Sequence, residues 1–189
     1  MTSQPAPSAT RPTTLLDDAA LAERIFRHID DGTTDLGDSV WREPVSHYLS
    51  HERFEAECAL IRRHPTPFCP SAALPEKGSY LARLAAGNPI IVTRGDDGEV
   101  SAFINACRHR GMQVAAGSGC AKALSCPYHG WTYGLDGALK GVPGQSGFPD
   151  LDREQHALKS VSVMELGGIV YVQQEGNIDP TQLTHALGY

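Results

Sequence analysis

Hydrophobic residues recur at every fourth position near the start of the chain, at Leu21, Ile25 and Ile29, until Gly32. This spacing is that of one face of an α-helix, and Gly32 is a typical residue for the helix end. The segment Thr14-Leu-Leu-Asp17 resembles a capping box with Asp in place of Glu, so the helix is expected to start there. The pattern predicts an amphipathic arm that packs on the core or on a neighbouring subunit, and a helix that docks a partner protein is the alternative.

A second helix is predicted over residues 51–63, with Ser50 as its N-cap. Phe54, Cys58 and Ile61 would share its apolar face.

His47 and His51 have the spacing of a metal-binding pair on a helix, with Glu52 and Glu55 nearby. The pair straddles the expected helix start, so the two rings need not share a face. We therefore interpret both as solvated histidines that follow a polar loop containing Trp41.

From Thr66 onward, short β-branched and apolar runs alternate with turn signals. Residues 89–94 and 100–104 flank the turn at 95–98 and predict a hairpin. The other predicted strands are 123–125, 131–133, 160–164 and 169–173. No alternation of helices and strands is present, which excludes a dinucleotide-binding fold. The pattern predicts a mainly β chain, in which an antiparallel domain follows an N-terminal helical arm.

Composition limits the size of the fold and the kinds of partner. With 189 residues, of which 41% are hydrophobic, the chain can form one domain with a core and an appended arm. The net charge of −6 argues against nucleic acid or an anionic membrane as a partner. The absence of a long apolar run and the polar N-terminus lead us to expect a cytoplasmic protein.

The same features predict the division of the chain. Residues 1–13 are rich in Pro, Ser and Thr and are expected to be a disordered tail. Residues 14–65 would form the helical arm, 66–176 the β domain, and 177–189 a closing helix or linker.

Two pairs of metal-binding residues mark the candidate chemistry. Cys107 and His109 form the first pair and Cys126 and His129 the second, with sixteen residues between the pairs. One zinc ion is a candidate, but a single residue between Cys107 and His109 is tight for two ligands of one tetrahedral ion. Two irons with bridging sulfides suit this spacing better, with both cysteines on one iron and both histidines on the other.

The other three cysteines, Cys58, Cys69 and Cys120, show no disulfide pattern. Cys120 lies between the two pairs and is the rival ligand. Because four donors are already present, we interpret it as a thiol without a metal.

The strings CRHRG and CPYHGW resemble the cluster-binding signature of Rieske proteins, and most of all that of ring-hydroxylating oxygenase alpha subunits. The resemblance implies a Rieske-type antiparallel β domain with a small cluster-binding subdomain and one [2Fe-2S] cluster per subunit. It implies that Cys107 and Cys126 bind one iron and that His109 and His129 bind the other. The residues expected around these ligands are Arg110, Gly111, Gly130, Trp131 and Tyr133.

The resemblance also implies roles for some of these neighbours. Gly111 and Gly130 would donate N–H groups to the sulfides, Pro127 would stiffen the second loop, and Trp131 would pack beneath that loop, although a plain core tryptophan is equally compatible. Tyr133 occupies the place of a hydrogen-bonding tyrosine.

Respiratory Rieske proteins carry an extra disulfide-forming cysteine in each loop and a serine after the second His-Gly. This chain has Met112 and Tyr128 near the cysteine positions and Trp131 at the serine position. The resemblance therefore implies a low-potential cluster.

The expected function is one-electron transfer to a mononuclear-iron oxygenase centre that is not on this chain. Alpha subunits of this kind continue into a catalytic domain with a facial triad, and the remaining histidines form no convincing triad. The chain would then be the Rieske part of a split or truncated subunit that receives electrons from a reductase or ferredoxin. It could also form a homo-oligomer. Two alternatives stay open: a free-standing Rieske ferredoxin, which the long arm disfavours, and a zinc-stabilised interaction module.

A locally basic cluster tip is also predicted in this otherwise acidic chain. Arg108, Arg110, Lys122 and Lys140 are opposed only by Asp136 between residues 105 and 145. This charge could steer an acidic ferredoxin or reductase, or it could belong to ordinary solvated loops.

Overall fold

The computed structural model describes residues 16–37 and 39–187, which form four α-helices and ten β-strands. The predicted disordered tail and the proposed capping residue Thr14 lie outside these residues. The chain divides into two compact units, Met1–Tyr48 and Leu49–Tyr189. No helix in the described part is long and apolar enough to cross a bilayer.

The first unit contains α1 (Asp18–Asp31), which has the predicted helical periodicity. Its N-cap is Asp17, whose carboxylate accepts a hydrogen bond from Ala20 N at 2.8 Å, so the helix begins after Asp17 rather than at Thr14. The C-cap is Gly32, as predicted, with φ of 62°. None of the α1 residues is buried, and Ile29 is 67% exposed.

Two consecutive helices follow, α2 (Val45–Leu49) and α3 (His51–Arg62). Ser50 caps α3 as predicted, since its Oγ accepts from Arg53 N at 3.2 Å. The short helix α2 was not predicted, because it lies in the polar segment after Trp41. His47 pairs with the Glu43 carboxylate and its side chain is 47% exposed, and His51 lies 3.9 Å from Glu55 with its side chain 85% exposed. Both histidines are therefore open to solvent.

Helix α3 is anchored within the second unit by Arg62. The backbone oxygen of Arg62 accepts from the N–H groups of Gln174 and Glu175, and its guanidinium donates to Ala86 O at 2.8 Å. The division between the units therefore falls inside the predicted 14–65 arm, and α3 belongs with the strands.

All strand pairs are antiparallel, which confirms the mainly β prediction. The strands are β1 (Thr66–Pro70), β2 (Ser79–Ala85), β3 (Asn88–Arg94), β4 (Val100–Ile104), β5 (Gly117–Cys120), β6 (Leu124–Ser125), β7 (Thr132–Tyr133), β8 (Leu139–Gly141), β9 (Ser160–Leu166) and β10 (Ile169–Gln173). Seven of them form one sheet in the order β1-β10-β9-β4-β3-β2-β5, and β6-β7-β8 form a second, smaller sheet. Helix α4 (Pro180–Leu187) follows β10, in the segment predicted to be a closing helix or a linker.

Strand β3 separates two hydrophobic cores, which explains its continuous apolar run. Ile90 and Val92 pack into a core with β1, β9 and β10, whereas Ile91 faces a core shared with the smaller sheet. Alternate residues of a strand point to opposite faces, so a strand buried on both sides has no polar face. The second of these cores contains Cys107 and Cys126, and it supports the candidate site.

Candidate metal centre

Two loops carry the candidate ligands, and each starts from a strand end. Loop one, residues 105–115, follows β4 of the predicted β3–β4 hairpin. Loop two, residues 126–131, connects β6 to β7. The structure therefore places both Cys-His pairs at the ends of short antiparallel strands, as the sequence indicated.

The two loops have the same backbone hydrogen-bond pattern, although their Cys–His spacing differs. In loop one, Cys107 N donates to Met112 O at 2.7 Å and Gly111 N donates to Cys107 O at 2.8 Å. In loop two, Cys126 N donates to the oxygen five residues on at 2.8 Å, and Gly130 N donates to Cys126 O at 3.0 Å. Each cysteine is thus fixed by a tight turn that closes four and five residues later.

Glycine is required in both turns because the backbone is left-handed there. The φ angles are 74° at Gly111 and 71° at Gly130, a conformation that costs other residues steric energy. A Cβ on Gly130 would also lie 3.1 Å from Pro143 Cγ. The N–H groups of Gly111 and Gly130, which were expected to donate to the sulfides, donate to the carbonyl oxygens of Cys107 and Cys126 instead. The left-handed turn therefore explains why glycine occupies both positions.

The four candidate ligands differ in exposure by residue type. Cys107 and Cys126 are each 4% exposed, whereas His109 is half-buried and His129 is exposed. The imidazole centroids of His109 and His129 lie 4.8 Å apart. The site therefore has two thiols within the core and two neighbouring imidazoles nearer the surface.

This donor set fits two irons better than a single ion. Among the described residues, no group of three or more His, Cys, Asp or Glu side chains is placed to hold one metal ion. In a tetrahedral zinc site all four donor atoms surround one ion, whereas in a mixed-ligand [2Fe-2S] centre two cysteines bind one iron and two histidines bind the other. Cys120 is exposed on β5, where its Sγ lies 3.5 Å from Lys77 O.

Tyr133 links the two loops through its hydroxyl group. Its Oη lies 3.3 Å from Cys107 Sγ and accepts a hydrogen bond from Arg108 N at 2.9 Å. Burial and the contact with Cys107 raise the pKa of Tyr133, so the phenol keeps its proton and can donate to a thiolate.

The ring of Trp131 contacts the ring of the candidate ligand His109 directly. The Trp131 and His109 rings are nearly parallel, with centroids 5.0 Å apart and an interplanar angle of 9°. Phe148 lies edge-on to both rings, at 6.0 Å from His109 and 5.7 Å from Trp131. Phe148 belongs to a segment after β8 that the sequence patterns did not connect with the site, because aromatic contacts between distant segments have no local signal.

The electrostatics around His109 favour a neutral imidazole. Burial lowers the pKa of His109, and electrostatic interactions with His129 and Arg110 lower it further. A neutral imidazole is the form that binds a metal ion.

The four positive residues of the predicted basic tip lie in two separate places in the structure. Arg108 and Arg110 are exposed in loop one beside His109. Lys140 Nζ lies 3.0 Å from Asp136 Oδ2, so its charge is paired. Lys122 and Lys140 line a cleft of about 420 Å³ together with Asp96, Asp97 and Asp136. Only the two arginines therefore give the loop tip its positive charge.

Comparison with known proteins decides the family of this site. Residues 64–162, more than half of the chain, match the family model described as the Rieske [2Fe-2S] domain. The chain belongs to the Rieske [2Fe-2S] domain family. Rieske domains bind a [2Fe-2S] cluster and transfer electrons through it, and the paired thiols and imidazoles of this Rieske domain fit that group.

Similar curated proteins are oxygenase subunits. The glycine betaine monooxygenase oxygenase subunit of Chromohalobacter salexigens is 39% identical over 167 residues, which cover 85% of this chain and 36% of that protein. The carnitine monooxygenase oxygenase subunit of Acinetobacter baumannii is 32% identical over 142 residues, covering 74% and 38%. This Rieske chain thus spans less than half the length of these relatives.

Solved structures show the same relationship. A quaternary ammonium Rieske monooxygenase, CntA, in complex with gamma-butyrobetaine superposes with a TM-score of 0.70 at 30% identity, over 78% of this chain and 43% of that one. A naphthalene 1,2-dioxygenase with bound indole has a TM-score of 0.62 at 29% identity, over 68% and 30%. The Rieske fold is therefore shared with oxygenases named for different substrates.

Proposed function

We propose that this chain passes single electrons through a [2Fe-2S] cluster held by Cys107 and Cys126 on one iron and His109 and His129 on the other. The observation that carries the proposal is the matched pair of loops, which brings two buried thiols and two imidazoles together. Mixed ligation of this kind is the chemistry of Rieske centres.

When bound, such a cluster supplies a one-electron acceptor whose potential lies above that of an all-cysteine cluster. The protein has to hold the donor atoms and set their charge. The core surrounds the two thiols, Trp131 and Phe148 restrict the His109 ring, and Tyr133 offers its hydroxyl to Cys107. Because the disulfide and serine of high-potential Rieske proteins are lacking, we expect a potential nearer about −150 mV than +300 mV.

We propose that the electron acceptor is a mononuclear-iron oxygenase centre outside residues 1–189, on a longer form of this chain or on another chain. The relatives named above are oxygenase subunits, and the match to the first of them covers 85% of this chain, more than residues 64–162 alone. This wider match favours an oxygenase subunit over a free-standing ferredoxin.

The segment is common to proteins named for carnitine, glycine betaine, anthranilate and biphenyl. A feature shared by enzymes with such different substrates fits electron delivery better than substrate selection. We therefore place the residues that select the substrate in the acceptor domain.

We propose that the electron donor is an acidic ferredoxin or reductase that docks at the tip of loop one. Arg108 and Arg110 supply positive charge there, and Met112 and Tyr128 are 48% and 58% exposed. Tyr128 also stacks on the His129 ring with a centroid distance of 3.7 Å, so this surface borders a candidate ligand. Opposite charges raise the rate of encounter, and exposed aromatic and thioether groups suit a transient contact.

The first experiment is to purify the chain without oxygen and to measure iron, acid-labile sulfide and zinc. Equal amounts of iron and sulfide, with the electron paramagnetic resonance spectrum of a reduced mixed-ligand cluster, are the expected result. A colourless protein that holds zinc without sulfide would contradict the proposal. Oxygen-dependent hydroxylation by the isolated chain with a reductase would contradict the separate acceptor centre.

The docking surface is tested by the rate at which a chemically reduced acidic ferredoxin reduces the chain. Reversing a charge with Arg110→Glu should slow this reaction by about tenfold at low salt, and the difference should shrink at high salt. The control is Arg63→Glu, which makes the same charge change at an exposed arginine at the end of α3. Equal effects of both substitutions would refute docking at loop one.

A further inference from the structure

Asn105 is a buried polar side chain at the point where the chain leaves β4 and enters loop one. It is 1% exposed and lies two residues before Cys107. A buried amide is costly unless its donors and acceptors are paired, so its hydrogen bonds indicate what it contributes to the fold.

The Asn105 side chain bonds to the far end of loop one. Its Oδ1 accepts from Val114 N at 2.9 Å and from Ala115 N at 3.3 Å, and its Nδ2 donates to Ala115 O at 2.8 Å. Its own backbone N donates to Pro89 O at 2.9 Å, which ties this point to β3. One side chain therefore joins the entry and the exit of the loop that carries Cys107 and His109.

Loop two is closed in a different way. Its two ends are neighbouring strands, since Ser125 of β6 pairs with Thr132 of β7, and their hydroxyl groups lie 2.9 Å apart. Loop one has no such ladder between its ends, because the next strand, β5, pairs with β2 instead. The amide of Asn105 supplies the cross-link that strand pairing supplies in loop two.

We propose that Asn105 is a positioning residue that clamps loop one and thereby fixes the donor atoms of Cys107 and His109. This inference rests on the proposed function, in which those residues are ligands. Asparagine suits the position because it offers an acceptor and a donor from one short, planar group. Aspartate would keep the acceptor but would put an oxygen against Ala115 O, where the Nδ2–H group now donates.

The test compares Asn105→Asp with the wild type as full chains carrying their cluster. We expect iron release to a chelator to be at least about tenfold faster in Asn105→Asp, the factor that corresponds to one lost buried hydrogen bond. We also expect a shift of the electron paramagnetic resonance g-values and of the reduction potential, because the Cys107 and His109 donors would be less restricted.

The control is Ser162→Ala on β9, outside loop one, which removes the hydroxyl group that accepts a hydrogen bond from Ile178 N. Its iron release, g-values and potential should match the wild type even if its urea midpoint falls. Unchanged iron release and spectra in Asn105→Asp, or equal changes in both variants, would overturn the clamp.

Hydrogen exchange in the wild type keeps the test independent of whether the variant folds. The Val114 and Ala115 amides should exchange about as slowly as those of the central strand β3, since both donate to Asn105. Exchange as fast as that of exposed Gln113 would overturn the proposal. If the purified chain holds zinc or no metal, the proposed function fails, whereas this exchange measurement still decides the role of Asn105.

Discussion

The hydroxyl group of Tyr133 offers a direct test of how the protein adjusts its metal centre. Tyr133→Phe removes one oxygen from a side chain with no measurable exposure and leaves the aromatic packing in place. Two contacts are lost: the one with Cys107 Sγ at 3.3 Å and the bond accepted from Arg108 N at 2.9 Å. The first contact acts on the charge of a candidate ligand, and the second acts on the shape of loop one.

The size of the effect on potential follows from the value of one hydrogen bond. Reduction adds negative charge to the centre, so a donor to a ligand sulfur stabilises the reduced state more than the oxidised state. A net contribution of about 0.5–1.5 kcal/mol corresponds to roughly 20–65 mV for one electron, so the potential of Tyr133→Phe should fall by that amount. The Arg108 N–H group also loses its partner, which should cost about 1–3 kcal/mol of stability.

Protein-film voltammetry or a dye-mediated titration measures the potential, and urea unfolding measures the stability. Tyr171→Phe is the control, because Tyr171 is 5% exposed and packs in a separate core with Ile178 and Leu183. Its potential should equal that of the wild type. An unchanged or higher potential in Tyr133→Phe would refute the assignment of Cys107 as a ligand that receives this hydrogen bond.

Three other substitutions test the ligands, the packing and the pH dependence. His129→Cys should lower the reduction potential or prevent cluster assembly, because a thiolate adds negative charge. Voltammetry would show the change in potential, and visible spectra would show a failure of assembly. An unchanged potential would mean that His129 is not a ligand. Gly137→Ala should cost about 2–5 kcal/mol in urea unfolding, since φ is 78° and the new Cβ would overlap the ring of a core phenylalanine. Gly98→Ala has a similar φ of 87° with open space around it, so equal losses in the two variants would contradict the packing argument. The ion pair with Arg94 holds the pKa of Glu165 below its usual 4.5, so its stabilisation is complete above about pH 4.5 and is lost as the pH falls through the lower folded-state pKa. The difference in urea midpoint between wild type and Glu165→Gln should therefore be constant above that pH and shrink below it; a difference that grows in acid would contradict the sign.

Local signals in the sequence predicted the elements that carry the site. The β3–β4 hairpin has a turn sequence between two β-branched runs, and Ser50 is a typical cap one residue before α3. Hydrogen bonds within such elements join residues that are near in sequence, so spacing and residue type are sufficient. The four candidate ligands follow the same rule, since each pair lies within one turn.

Features that depend on contacts between distant segments were not predictable in this way. Phe148 reaches His109 from a different part of the chain, and the periodicity of its own segment contains no sign of that contact. The pairing of Lys140 is a local exception. Asp136 is only four residues away, but four cations were predicted around this one carboxylate, and only the turn between β7 and β8 shows that Lys140 pairs with it. The start of α1 was misplaced because Thr14 and Asp17 are both good caps, and only the backbone geometry selects Asp17.

The loops indicate which local signal matters most for the site. Their Cys–His spacings differ, yet in each loop glycine follows the cysteine by four residues and donates to its carbonyl oxygen. The turn is thus defined by cysteine and glycine, and the histidine occupies the outer part of it, two residues on in loop one and three in loop two. A residue in the outer part of such a turn lies nearer the solvent than the residue at its base, which accounts for buried Cys107 and Cys126 below half-buried His109 and exposed His129. Because these imidazoles lie nearer the surface than the two thiols, a cluster held by the four residues would offer an electron its shortest path on the histidine side.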